Sequence, residues 1–73
     1  MKLSKQAVLK SIGEKIKIAR RKQEISQEKL AEFIGIHRTY MGRIERGISN
    51  PPIYTIYRVI KALKTKSSEI LPF

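Results

Sequence analysis

Cysteine, tryptophan and aspartate are absent from this chain, and there is a single histidine. Without cysteine there is neither a disulfide nor a thiolate metal site to staple the fold. A lone His37 without Cys or Asp partners gives no metal-ligand cluster. No serine has a histidine partner in any recognisable motif, and no glycine-rich phosphate loop is present. Long apolar runs are missing too, so no segment has the length needed to cross a bilayer. The start, "MKLSKQAVLK", carries lysines but not the uninterrupted apolar stretch of a signal peptide. With 73 residues the chain reads as one small domain with a modest core. A pocket for substrate and cofactor would be hard to fit. The expectation is a cytoplasmic protein that is not an enzyme and holds no cofactor or metal.

What is abundant is positive charge. Sixteen Lys and Arg face six Glu, for a formal net charge of +10. Solubility of so small a domain needs no such excess, so a polyanionic partner is expected. Nucleic acid, an acidic membrane surface and an acidic protein all satisfy that criterion. The charges are spread through helical patterns and do not form one block, which argues against a purely disordered basic tail.

Apolar residues recur at helical spacing nearly throughout, and nothing alternates with the two-residue period of a half-buried strand. The fold class is all-α. A first helix is expected from Ser11 to about Gln23, with Ser11 and Glu14 spaced as a capping box and Ile12, Ile16 and Ala19 facing inward. Residues 1–10 form an extension that either continues this helix, as Val8 allows, or frays. Ser26 is a suitable N-cap for a second helix burying Leu30, Ala31 and Ile34, which Gly35 ends by supplying a left-handed residue. A third helix from about His37 to Arg46 buries Met41 and Ile44 and closes at Gly47. After "SNPP", proline suits the first turn of a fourth helix, Ile53 to Leu63, burying Ile56, Ile60 and Leu63. A short fifth helix covers Ser67 to Leu71.

Two short helices joined at a glycine, with a small alanine four residues before it, make a helix-turn-helix. Ala31 lets the two helices cross closely, and Ile36 plugs the turn. Anchoring the third helix through Met41 and Ile44 leaves Arg38, Thr39, Gly42, Arg43 and Arg46 on its free face. A helix of this size fits the major groove, and residues near its N-terminus reach base edges.

"SQEKLAEFIGIHRTYMGRIERGISNP" resembles the Cro and phage-repressor (XRE-type) helix-turn-helix family, and the likeness runs from about Ile12 to Leu71. "RTYMGRIERG", with little chain beyond five helices, is similar above all to the small controller proteins of restriction–modification systems. The resemblance implies a compact five-helix, lambda-repressor-like domain over residues 11–73 that binds double-stranded DNA as a homodimer on a palindromic or pseudopalindromic operator. It implies base contacts by Arg38, Thr39 and Arg43. Backbone contacts are implied for Gln27, His37, Tyr40, Arg46, Ser49 and Asn50. Arg20 and Glu45 match a buried ion pair tying the first helix to the third, and Ile70, Leu71 and Phe73 fall where the controller proteins dimerise. The chain departs from the pattern at His37 and Pro52, where caps are usually serine or threonine and serine. It departs again at Lys64 and Thr65, where glycine and valine are usual, and at Ser67, where the family has an apolar residue.

Plainer readings stand beside these. Arg38 and Arg43 are ordinary solvated charges on an isolated helix, and only the helix-turn-helix context turns them into base readers. His37 is a loop or cap residue, or else a phosphate contact. Tyr54 and Tyr57 are expected as partly buried packing, against base stacking. Lys15, Lys17 and Lys22 are a solvated face. Leu71 and Phe73 pack back on the core or meet a second subunit. Two further functions fit the composition: an antitoxin-like module that clamps a protein partner, and a cationic binder without sequence preference.

Overall fold

The computed structural model describes residues 4–73, and residues 1–3 of the expected extension lie outside the described residues. Five helices follow in order: α1 (Lys5–Lys22), α2 (Gln27–Ile34), α3 (Arg38–Glu45), α4 (Ile53–Ala62) and α5 (Ser67–Ile70). No strand occurs among the described residues.

Helix α1 starts earlier than the capping-box reading placed it. Ser4 is the N-cap, with its hydroxyl accepting from the Ala7 N–H at 3.0 Å. Ser11 and Glu14 therefore lie inside the helix and cap nothing. The reason is the apolar stripe. Val8 packs against the core, so carrying the helix back to the preceding serine keeps that contact, and residues 5–10 are helix α1 itself.

The later caps follow the local chemistry. Ser26 accepts from the Lys29 N–H at 3.0 Å, and Gly35 turns the chain with φ +71°. His37 caps α3 through Nδ1, which accepts from the Thr39 N–H at 3.1 Å. Three helices end without glycine, and two of them still turn through a left-handed residue. Glu24 after α1 and Lys64 after α4 both adopt positive φ, +57° and +53°. Lys64 thus takes the left-handed conformation at the position where the family pattern has glycine.

The core is a single cluster drawn from all five helices, centred on Ile16, Leu30, Met41, Ile44, Val59, Leu63 and Ile70. On α4 the buried stripe is Ile56, Val59 and Leu63, while the expected Ile60 is only half-buried. Val59 takes the inward position because α4 is rotated so that Thr55 is buried as well. The same rotation turns Tyr54 and Tyr57 outward. They are 65% and 52% exposed and stack on each other at 6.0 Å, so they are not packing residues. At the C-terminal end Ile70 is fully buried and closes the core against α1 and α4. It is therefore unavailable as a subunit contact. Leu71 is half-buried and Phe73 is 84% exposed.

Candidate nucleic-acid interface

Helix α3 is held from behind at two points on α1. The first is steric. Gly13 lies so close to the end of α3 that a Cβ there would sit 2.4 Å from the Ile44 carbonyl oxygen and 2.6 Å from that of Glu45. Sequence reasoning passed over this glycine, since nothing local marks a helical glycine as a point of close approach. The second is ionic. Arg20 Nε and Nη2 donate to the two Glu45 carboxylate oxygens at 2.6 and 3.0 Å. Both side chains are buried, 9% and 1% exposed. A third Arg20 nitrogen donates to the Ile25 carbonyl at 2.7 Å, and Gln27 Nε2 donates to Glu45 at 2.9 Å. This network joins α1, the start of α2 and the end of α3. Removing one member would leave a buried charge without its partner, at a cost of about 3–5 kcal/mol.

With Met41 and Ile44 in the core, the other side of α3 faces outward. Arg38, Thr39, Arg43 and Arg46 are all exposed there, and Tyr40 is half-buried beside them. Gly42, expected on this free face, is instead buried. A Cβ at that position would meet Arg46 Nη1 and Gln27 Oε1, both at 3.5 Å. After α3, Ser49 is half-buried and Asn50 exposed. His37 is exposed, and its Nδ1 is occupied in accepting from the Thr39 N–H, which leaves Nε2 as the ring nitrogen free for another partner. Gln27 has spent one amide hydrogen on Glu45 and keeps a second, at the N-terminus of α2 where backbone N–H groups favour anions.

One contact on this surface was not legible at all. Arg38 Nη1 lies 3.3 Å from Glu28 Oε2, across the turn between the two helices. The partners are ten residues apart on different helices, so no helical spacing relates them. The surface is otherwise cationic, since Glu45 is neutralised by Arg20 beneath it. No helix among the described residues is long and apolar enough to cross a membrane.

Comparison with known proteins agrees with this geometry. Residues 16–70 match the family model described as "Helix-turn-helix". The control protein C.SmaI of Serratia marcescens is 38% identical over 60 residues, which span 82% of this chain and 71% of that protein. The restriction–modification controller protein C.AhdI from Aeromonas hydrophila superposes with a TM-score of 0.82 at 32% identity, covering 86% of this chain and 96% of that one. The controller protein C.Esp1396I, solved as a tetramer with its natural 35 base-pair operator, superposes with a TM-score of 0.76 at 30% identity, covering 84% of this chain and 80% of that one. This chain belongs to the Cro/phage-repressor (XRE-type) helix-turn-helix family of DNA-binding transcriptional regulators.

Proposed function

We propose that the protein is a cytoplasmic regulator of a bacterium, phage or plasmid that reads an inverted-repeat operator as a homodimer, with one α3 in the major groove of each half-site. The observation that carries this reading is the division of α3. Its inward residues Met41, Ile44 and Glu45 are buried, while Arg38, Thr39 and Arg43, with Arg46 at the C-cap, are exposed. Arginine forks onto O6 and N7 of guanine, and the threonine methyl meets that of thymine, so Arg38, Thr39 and Arg43 are assigned the base edges. Gln27, His37, Tyr40, Arg46, Ser49 and Asn50 are assigned the phosphates, which position the helix without reading sequence. The chain acts by binding and not by catalysis. Its only histidine is engaged as a helix cap.

A dimer would place the two α3 helices about 34 Å apart, one turn of duplex. The apolar surface nearest the C-terminus is the face assigned to the partner. Ile53 and Phe73 are 70% and 84% exposed there, and with Leu71 they border a recess of about 310 Å³. The tetramer–operator complex of the related controller protein supports assembly on DNA for this chain.

Selection from a random duplex library at near-physiological salt tests the reading. An enriched inverted repeat with half-sites one helical turn apart is expected. On that site Arg38→Ala should lose about 1–3 kcal/mol while binding to unrelated duplex falls much less. If Arg46 and the lysines and arginines around the groove neutralise six phosphates in all, the affinity should fall with salt at a log–log slope of about −5. If no sequence is enriched, and Arg38→Ala weakens binding no more than Lys17→Ala, only charge remains and the regulator reading is wrong.

A further inference from the structure

The Glu28–Arg38 pair is unexpected on a surface that must meet phosphates. Both side chains are well exposed, 70% and 65%, and an exposed ion pair adds little to stability. Glu28 also repels any phosphate that comes near Arg38. As an acid in the first turn of α2 it has a conventional place beside the helix dipole. That role does not require it to reach across the turn to the first residue of α3. We propose that Glu28 is a specificity-determining positioning residue, holding Arg38 toward base edges and away from the DNA backbone. The inference rests on the base-reading role assigned to Arg38 above.

The physical argument is one of competition. A guanidinium forks onto a phosphate as readily as onto guanine, and phosphate contacts carry no sequence information. An unrestrained Arg38 at the rim of the groove would therefore strengthen binding to every duplex. With one nitrogen engaged by Glu28, the guanidinium keeps donors for a two-pronged contact but in one orientation. The carboxylate beside it penalises the arrangement in which Arg38 turns to a phosphate. Guanine, with two acceptors and no formal charge at its groove edge, carries no such penalty. Glu28 thus lowers affinity for DNA in general and raises the ratio of preferred to unrelated sites, a use of repulsion to discriminate between partners.

The test compares Glu28→Gln with Glu32→Gln. Glu32 is also an exposed acid of α2, four residues on, and faces Lys29 at 3.7 Å, so its substitution makes the same change of charge away from Arg38. Binding to the selected site and to an unrelated duplex is measured across a salt series, with helicity checked for each variant. Glu28→Gln should tighten binding to the unrelated duplex, steepen its salt slope by about 0.9 as Arg38 gains a phosphate, and reduce the preference ratio about fivefold, the low end for one two-pronged base contact. Glu32→Gln should leave the ratio unchanged. In an Arg38→Ala background, Glu28→Gln should no longer alter it. Equal changes on both duplexes for Glu28→Gln, or a loss of ratio that persists without Arg38, would overturn the proposal while leaving the regulator reading intact. If Arg38→Ala itself leaves the ratio unchanged, the base contact assigned to Arg38 is wrong and the role of Glu28 falls with it.

Discussion

Gly13→Ala offers a sharp test of how α3 is mounted, because two ordinary rules predict opposite signs. In a helix interior alanine is favoured over glycine by about 1 kcal/mol. At Gly13, however, the new methyl would lie 2.4 and 2.6 Å from two backbone carbonyl oxygens of α3 and 2.9 Å from a carbonyl carbon. Ordinary carbon contacts lie near 3.5 Å, so relief requires a shift of about 1 Å. The obstacles are backbone atoms, and the Ile44 carbonyl is itself held by the Gly47 N–H at 3.0 Å. Helix α1 must therefore back away, which stretches the Arg20–Glu45 contacts about two turns further along. Overpacking costs about 1–3 kcal/mol, and partial loss of charged hydrogen bonds about 1.5–3 more. Against the propensity gain, the net is a loss of about 3 kcal/mol, or a fall in Tm of about 12–24 °C. Gly42→Ala is the matched control. Its methyl finds only ordinary contacts at 3.5 Å, so it should stabilise by about 0.5–1 kcal/mol. Thermal and urea melts followed by circular dichroism measure both. A Gly13→Ala protein that melts at or above the parent would refute the mount.

Arg20→Ala should cost about 3–5 kcal/mol in urea denaturation, since it strands the buried Glu45 carboxylate. Lys64→Gly should raise stability by about 1 kcal/mol, the relief of a left-handed residue at φ +53°, with a Tm increase of several degrees; a decrease would show that the Lys64 side chain matters more than its backbone. Ile53→Glu combined with Phe73→Ser should shift sedimentation from dimer to monomer at unchanged helicity, and a dimer that persists would move the subunit contact elsewhere.

The helix order was legible because each segment carries its own period and punctuation. Ser26 and Gly35 fix α2 by hydrogen bonding and backbone conformation that depend on no distant residue. What was lost is tertiary. The choice between Ser4 and Ser11 as the start of α1 turned on whether Val8 had a core to reach, which the local pattern does not contain. The choice between Val59 and Ile60 turned on the rotation of α4 about its axis, a quantity set by its neighbours. Gly13 reads locally as a weak point in a helix, and only the proximity of α3 makes it a requirement. The Arg20–Glu45 pair spans 25 residues and entered through the family resemblance, not through any spacing. The reading face itself was visible, because burying Met41 and Ile44 fixes which side of a short helix is left over. Which side chains on that face touch one another was not, as Glu28 shows.

Helix α1 packs against both α3 and α5. In the proposed dimer the C-terminal end and Ile53 meet the partner and α3 meets the groove, so α1 is one strut between the two, and α4 with α2 is the other. Neither strut carries any of the residues assigned to the base edges, yet their angles set how far apart and how steeply the two reading helices stand. Half-site spacing is then a mechanical property of the helices behind α3, while base preference is a chemical property of α3. An operator with one extra base pair between its halves would be refused by the struts, however well each half matched.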